Sequence, residues 1–171
     1  MNYIIRVDDR LIHGQVVEGW IKPLKIESIV ICSDVVCNDP VERTLFEVST
    51  PKYIKLEFSS IVTTAQKIVS KEYEKVNTLI LIASLEDLLR LVLEVKKIMP
   101  DYIFNPVNIG GIRFCEGRKQ IYKALCLNER DIDLIKELNR QNVILEYYIF
   151  PMDPKIVLNN LIESLEKEIQ L

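Results

Sequence analysis

The single histidine of this 171-residue chain lies in a segment rich in residues that can do chemistry. Positions 8–15 read Asp-Asp-Arg-Leu-Ile-His-Gly-Gln and follow an apolar run typical of a buried strand. Histidine is the side chain that most readily acts as a nucleophile, base or acid near neutral pH. A neutral imidazole with an exposed lone pair can attack phosphorus when its other nitrogen has a partner. The segment therefore makes His13 a candidate nucleophile.

The neighbours of His13 supply what a transferred phosphoryl group needs. Arg10 offers a fixed positive charge and a planar fork that matches phosphate oxygens. Asp8 or Asp9 could accept the second ring N–H, which would fix the tautomer of the imidazole. This combination of imidazole, guanidinium and carboxylate suits phosphoryl transfer without a metal ion.

A helix is predicted directly after the histidine, ending near Pro23. Its first turn, at Gly14 and Gln15, presents N–H groups without helical partners and the positive end of the helix dipole, which favour an anion. Gly14 also lets the backbone approach a ligand closely. We therefore expect Gly14 and Gln15 to contribute to phosphate binding.

Each of these features also has an ordinary structural explanation. A loop histidine is commonly solvated or caps a helix, and an Asp-Asp-Arg cluster can be a surface ion pair worth about 0–1 kcal/mol. Gly110 and Gly111 are explained by a tight turn with positive φ. The alternative for the two glycines is a nest of backbone N–H groups that binds phosphate.

Short apolar runs alternate along the chain with helical patterns, which predicts βαβ units and a mostly parallel sheet. The predicted strands are residues 3–7, 28–32, 53–58, 78–83, 102–109, 121–127 and 143–150. We therefore expect a single α/β domain over residues 1–171, an open sheet of about seven strands with helices on both faces. Ligands of such sheets bind beyond the carboxyl ends of the strands, where His13 lies.

Capping residues mark the starts of several predicted helices. Asp39 followed by Pro40 and Glu42 has the pattern of a capping box. Ser84 is sufficiently explained as an N-cap. The other predicted helix starts are at Asn128 and Asp153.

Composition excludes several functional classes. The net charge of −3 gives no sign of nucleic-acid binding. The longest stretch without a charged residue, 102–112, contains Pro106 and is too short to span a membrane. Four cysteines without a C-x-x-C pair, beside one histidine, predict free thiols rather than a metal site. We expect no cofactor, no signal peptide and a cytoplasmic location.

The segment at 6–16 closely resembles the signature of the IIB components of the mannose/fructose/sorbose family of bacterial sugar phosphotransferase systems. Trp20 stands where that family has a tryptophan in its first helix. The similarity extends over nearly the whole chain, to segments 33–39, 84–87, 108–112 and 148–153 and to Asp131.

The resemblance implies a protein-Nπ-phosphohistidine–sugar phosphotransferase. His13 would accept a phosphoryl group from phosphohistidine of a IIA domain and pass it to a sugar held by the membrane IIC and IID permease. Arg10 resembles the family's phosphate-stabilising arginine and Asp8 its carboxylate neighbour, while Ser84 matches a serine near the phosphohistidine. The family suggests Nδ1 as the phosphorylated atom, and the chain would associate peripherally with the permease, as a homodimer or a monomer.

Departures from the family pattern lie outside the histidine loop. They concern partner and sugar preference rather than phosphoryl transfer, and are found at Ser33, Val35, Leu85 and Ile112. Two alternatives stay open: a regulatory domain that keeps the fold without transport, and a receiver-like domain phosphorylated on aspartate. The receiver is the weaker alternative, because its acceptor Asp and its Lys are absent from the expected strand ends at 58–60 and 108–110.

Overall fold

Nine strands form within residues 3–170, the part of the chain that this computed structural model describes. They are β1 (Tyr3–Asp8), β2 (Ser28–Cys32), β3 (Lys55–Ser59), β4 (Thr78–Ile82), β5 (Val107–Gly111), β6 (Lys119–Tyr122), β7 (Leu125–Leu127), β8 (Leu145–Tyr147) and β9 (Ile156–Val157). Seven of them make one sheet in the order β3-β2-β4-β1-β5-β8-β9, parallel except for β9. β6 and β7 form a separate antiparallel hairpin.

All helices except the last two connect successive parallel strands, and together the helices cover both faces of the sheet, as the sequence predicted. They are α1 (Gly14–Val16), which continues as π-helical turns over Val17–Ile21, α2 (Asp34–Asn38), α3 (Pro40–Ser49), α4 (Ile61–Val69), α5 (Leu85–Ile98), α6 (Glu129–Arg140) and α7 (Ile162–Gln170). Strand β4 shows how the core divides: Leu79 and Leu81 pack on the face that carries Trp20, while Ile80 and Ile82 pack against α4, α5 and α6. The α/β fold predicted from the alternating pattern is confirmed.

Three of the four predicted caps are confirmed, those of α3, α5 and α6. The Asp39 side chain accepts hydrogen bonds from the backbone N–H groups of Val41 and Glu42, and Ser84 accepts one from Asp87. Asn128 forms a complete capping box with Asp131. The caps of α2 and α4, which are Ser33 and Ser60, were not predicted.

Two predicted elements are wrong in the second half of the chain. Residues 121–127 do not join the main sheet, since the polar, exposed β6 pairs with β7 instead. Asp153 does not open the last helix, because its carboxylate accepts the N–H of Phe150 and closes a turn. The β-branched pair Ile156–Val157 then adds an antiparallel edge to β8, and α7 begins only at Ile162.

Gly110 and Gly111 lie inside strand β5, so the predicted tight turn with positive φ is wrong. Opposite β1, Val7 pairs with Ile109 and Asp8 pairs with Gly111, so the register skips Gly110. This bulge leaves Gly110 against the guanidinium of Arg6, where an added Cβ would lie 1.8 Å from Arg6 Cζ. The missing side chain of Gly110 therefore makes room for a buried arginine.

Within residues 3–170, no helix is both long enough and apolar enough to cross a membrane.

Gly110→Ala should destabilise the protein, because the buried Arg6 guanidinium cannot move away cheaply. We expect a loss of about 1–3 kcal/mol in the free energy of unfolding, measured by denaturant titration. Gly14→Ala is the control, since no atom lies within 4 Å of a Cβ added there. Equal stability of the two variants would contradict the proposed steric role of Gly110.

Candidate functional site

A buried carboxylate at the carboxyl end of the central strand organises the site. Asp8 is the last residue of β1, and its side chain is fully buried. Its Oδ2 accepts hydrogen bonds from Arg6 Nη2 at 2.8 Å and from His13 Nε2 at 3.0 Å. Its Oδ1 accepts from the backbone N and the Nε of Arg10, at 3.2 and 3.3 Å. One carboxylate thus gathers three basic side chains.

The loop after β1 is built so that its functional side chains return to the strand end. The backbone N–H of Leu11 donates to the carbonyl of Asp8, and Leu11 has a left-handed φ of 55°. Leu11 and Ile12 are buried in the core on the Trp20 face, which anchors the loop. His13 then adopts an extended conformation and serves as N-cap of α1.

The two ring nitrogens of His13 have different environments. Nε2 faces the Asp8 carboxylate, whereas Nδ1 accepts a long hydrogen bond of 3.3 Å from the backbone N–H of Gln15. An ionised carboxylate only accepts hydrogen bonds, so Nε2 carries the ring proton and Nδ1 keeps its lone pair. The side chain is 17% exposed, so the ring is reachable from solvent.

Asp8 remains ionised because its partners outweigh the effect of burial. Burial raises the pKa of this carboxyl, but the hydrogen bond from His13 and the positive charge of Arg6 together lower it by more than burial raises it. The resulting pKa is about 2. At neutral pH the carboxylate is therefore a fixed negative charge beneath the imidazole. Such a partner stabilises any positive charge that develops on the ring.

Arg10 lies over the same carboxylate with part of its guanidinium exposed. Its Nη2 donates to Oε1 of Gln15 at 3.1 Å, so Gln15 contacts the site through both its backbone and its side chain. The structure thus brings together four of the predicted residues, Asp8, Arg10, His13 and Gln15.

Arg6 is a site residue that sequence reasoning missed. It is fully buried, donates to Asn108 Oδ1 at 2.6 Å as well as to Asp8, and stacks on Trp20 with Cζ 4.6 Å from the ring centroid. Burial lowers the pKa of this guanidinium, whereas the Asp8 charge raises it. The available signal was an arginine inside an otherwise apolar strand that is covered on both faces.

The remaining predicted residues occupy different positions around this group. Gly14 is exposed, whereas Gly111 is buried, and a Cβ on Gly111 would lie 3.4 Å from both Arg10 Nη2 and Asp8 Cγ. Asp9 binds Arg113 instead of His13, through an Arg113 Nε–Oδ1 distance of 3.1 Å. Ser84 follows the neighbouring strand β4, where its hydroxyl caps α5. Within residues 3–170, no hydrogen bond joins Ser84 to the imidazole.

Comparison with known families finds a match over nearly the whole chain. The model of the PTS (phosphotransferase system) sorbose subfamily IIB component matches residues 2–170. The chain belongs to this family. The resemblance predicted from segment 6–16 is confirmed, and the chain is a IIB component of the phosphotransferase system.

Individual relatives differ in the share of their length that the chain covers. It is 33% identical to the sorbose-specific EIIB component of Klebsiella pneumoniae over 153 residues, 90% of each protein. It is 31% identical to the mannose-specific EIIAB component of Escherichia coli (strain K12) over 164 residues, 96% of this chain and 49% of that protein. The chain therefore spans about half the length of the EIIAB relative.

A solved structure shares the fold over nearly its full length. The IIBSor domain of the sorbose permease from Klebsiella pneumoniae superposes with a TM-score of 0.80 at 31% identity, covering 96% of this chain and 98% of that one. This similarity confirms the single α/β domain with a mostly parallel sheet.

Asp8→Asn should destabilise the protein at neutral pH, because it leaves the buried Arg6 charge without a counter-charge. We expect a loss of about 3–5 kcal/mol in the free energy of unfolding. The pKa of Asp8 is depressed, so its stabilisation is complete above about pH 4 and is lost as the pH falls toward about 2. The difference in the free energy of unfolding between Asp8→Asn and the unsubstituted protein should therefore become smaller as the pH falls from about 4 to about 2.

Denaturant unfolding at several pH values measures this difference, and Asp133→Asn serves as an exposed control expected to stay within about 0.5 kcal/mol. A difference between Asp8→Asn and the unsubstituted protein that is small at pH 7, or that widens toward pH 2, would contradict the description of Asp8.

Proposed function

We propose that this chain is a phosphocarrier in which His13 takes a phosphoryl group from phosphohistidine of a IIA domain and transfers it to a sugar. The observation that carries the proposal is the orientation of the imidazole. Nε2 contacts a buried, ionised Asp8, while the Nδ1 lone pair accepts, within residues 3–170, one long hydrogen bond from the backbone N–H of Gln15. A nitrogen nucleophile requires this separation of roles.

In the first transfer, Nδ1 of His13 attacks the donor's phosphorus in line. The new N–P bond forms as the N–P bond of the donor breaks, and the electron pair returns to the donor imidazole. The ring of His13 becomes positively charged, and the Asp8 carboxylate stabilises that charge through Nε2–H. No proton has to leave Nδ1, so the step needs no separate base.

Arg10 and the backbone N–H of Gln15 hold the equatorial oxygens of the phosphoryl group. This assignment is supported by the Arg10 Nη2–Gln15 Oε1 contact, which keeps the two donors side by side. Gly14 leaves space for the group, and Gly111 keeps the wall behind Arg10 free of a side chain. Gly110 makes room for Arg6 and does not itself bind the phosphoryl group. Ser84 is proposed as a further contact to the phosphoryl group, from the neighbouring strand end.

The second transfer goes to a sugar hydroxyl held by the membrane IIC and IID permease. The hydroxyl oxygen attacks phosphorus, the N–P bond to His13 breaks, and the hydroxyl proton passes to a base on the partner. In this proposal residues 1–171 act as one IIB domain that associates with the cytoplasmic surface of the permease. The chemistry requires neither a nucleotide nor a metal ion.

His13→Ala should abolish phosphoryl uptake, because it removes the only imidazole of the chain. The assay mixes the protein with its cognate IIA domain, the general phosphocarrier proteins and labelled phosphoenolpyruvate. Uptake by the unsubstituted protein should give an acid-labile, base-stable product. Labelling that survives in a folded His13→Ala variant would contradict the proposal.

Arg10→Lys should slow phosphoryl uptake about 10- to 100-fold while the fold is kept, because an ammonium group keeps the charge but loses the planar fork. Rapid-quench measurement of uptake by His13 gives the rate. Arg130→Lys is the matched control, since Arg130 is exposed and pairs with Glu86 on the surface. Equal rates for the two variants would exclude Arg10 from the transfer step.

A further inference from the structure

An open cleft of about 280 Å³ adjoins the site on the side of the β6–β7 hairpin. Arg10 and Gly111 form the wall that it shares with the His13 loop, and its far side is formed by residues from segments 112–114 and 120–126. Asp9 ties the two sides together, because its carboxylate accepts hydrogen bonds from the backbone N and the Nε of Arg113. Arg10 therefore belongs both to this cleft and to the group of side chains around His13.

The side chains around this cleft carry more positive than negative charge. Arg6 and Arg10 share Asp8, and Arg113 is paired with Asp9. Lys123 lines the cleft, is exposed, and has no hydrogen-bond or ion-pair partner within residues 3–170. Arg6 and Asp8 are buried and cancel each other. Arg10, Arg113 and Lys123 line the cleft and are opposed by Asp9, which leaves an excess of two positive charges in a chain whose net charge is −3.

The rest of the hairpin region does not cancel this excess. Arg118 is neutralised by Asp131 through Nε–Oδ2 and Nη2–Oδ1 hydrogen bonds of 2.9 and 3.3 Å. Lys119 turns away from the cleft and donates to the carbonyl of Glu168 at the end of α7. Glu116 lies on the exposed connecting loop and does not line the cleft.

The opposite flank of the same sheet edge carries the reverse charge. Asp34 binds Arg90 at 2.7 Å, and Asp87 binds the same guanidinium at 3.0 Å. Glu86, next to Asp87 at the start of α5, forms an ion pair with Arg130. On that flank three carboxylates face two arginines, so its local charge is negative, whereas the hairpin side carries the excess of positive charge.

Phe114 adds an apolar anchor at the rim of the cleft. Its side chain is 71% exposed and stands next to Arg113 in the sequence. Exposed aromatic rings beside arginine are enriched at the energetic centres of protein interfaces. A small free anion would not need such a ring, so the surface suits a protein that carries the anion.

We infer that the cleft formed by Arg10, Arg113, Phe114 and Lys123 is the docking surface for the phosphoryl-donor domain. This inference rests on the proposed function and adds the side from which the donor binds. The phosphoryl group carries about −1.5 to −2 charges near neutral pH, which matches the excess of two positive charges. The donor face that surrounds it is acidic and offers an apolar contact to Phe114.

The test is the steady-state rate of phosphoryl uptake by His13 as a function of the concentration of the cognate phosphorylated IIA domain. Lys123→Glu should raise KM about tenfold at low ionic strength and leave kcat within about twofold. The reason is that a charge at the rim of an interface changes the rate at which the two proteins associate. The effect should shrink as salt is added. Phe114→Ala should raise KM about threefold, with little dependence on salt.

Lys55→Glu is the matched control, since it makes the same change in net charge at the amino end of β3, across the sheet from the site. Circular dichroism verifies that all variants are folded.

Leu45→Glu tests the exposed apolar side of α3 as an alternative docking surface for the donor domain. A KM for Lys123→Glu equal to that for Lys55→Glu, or a rise confined to Leu45→Glu, would overturn the docking surface and leave the proposed function intact. An unsubstituted protein that takes no phosphate would overturn both.

Discussion

The Asp8 carboxylate is the interaction on which the rest of the site depends. It is buried at the end of the central strand, yet stays ionised because Arg6, Arg10 and His13 all donate to it. Isolated in the core, such a charge would cost several kcal/mol. The same arrangement sets the tautomer of His13 and places the guanidinium of Arg10 beside it, so one carboxylate underlies both the stability of the strand end and the proposed chemistry.

The fold provides the surroundings that make this charge cluster tolerable. Gly110 bulges out of register and leaves room for the Arg6 guanidinium, while Trp20 covers its face. The carbonyl of Ile149 accepts a 3.0 Å hydrogen bond from Trp20 Nε1 and a weaker one from Arg6. Residues from β1, β5, the first helix and the loop after β8 therefore meet at one arginine, so its loss would disturb the site from below.

Much of this could be predicted from the sequence, for physical reasons that differ between elements. Continuous Ile, Val and Leu runs such as 78–83 identified the buried parallel strands, and cap patterns located α3, α5 and α6. Predictions were wrong where tertiary contacts decide the outcome. The tight turn at Gly110 and Gly111 is a bulged strand because Arg6 needs the space, and Asp153 closes a turn instead of capping a helix. The proximity of His13, Arg10 and Asp8 was predictable from spacing, whereas the role of Arg6 requires knowing that β1 is covered on both faces.

Nitrogen-15 NMR of the imidazole tests the central claim most directly, because the chain has one histidine and each signal is unambiguous. In the neutral form of the ring, long-range ¹H–¹⁵N correlations should show the proton on Nε2 and the lone pair on Nδ1. After phosphorylation, the coupling to phosphorus should appear at Nδ1. A free protein with the proton on Nδ1, or a phosphorylated protein with phosphorus bound to Nε2, would contradict the account.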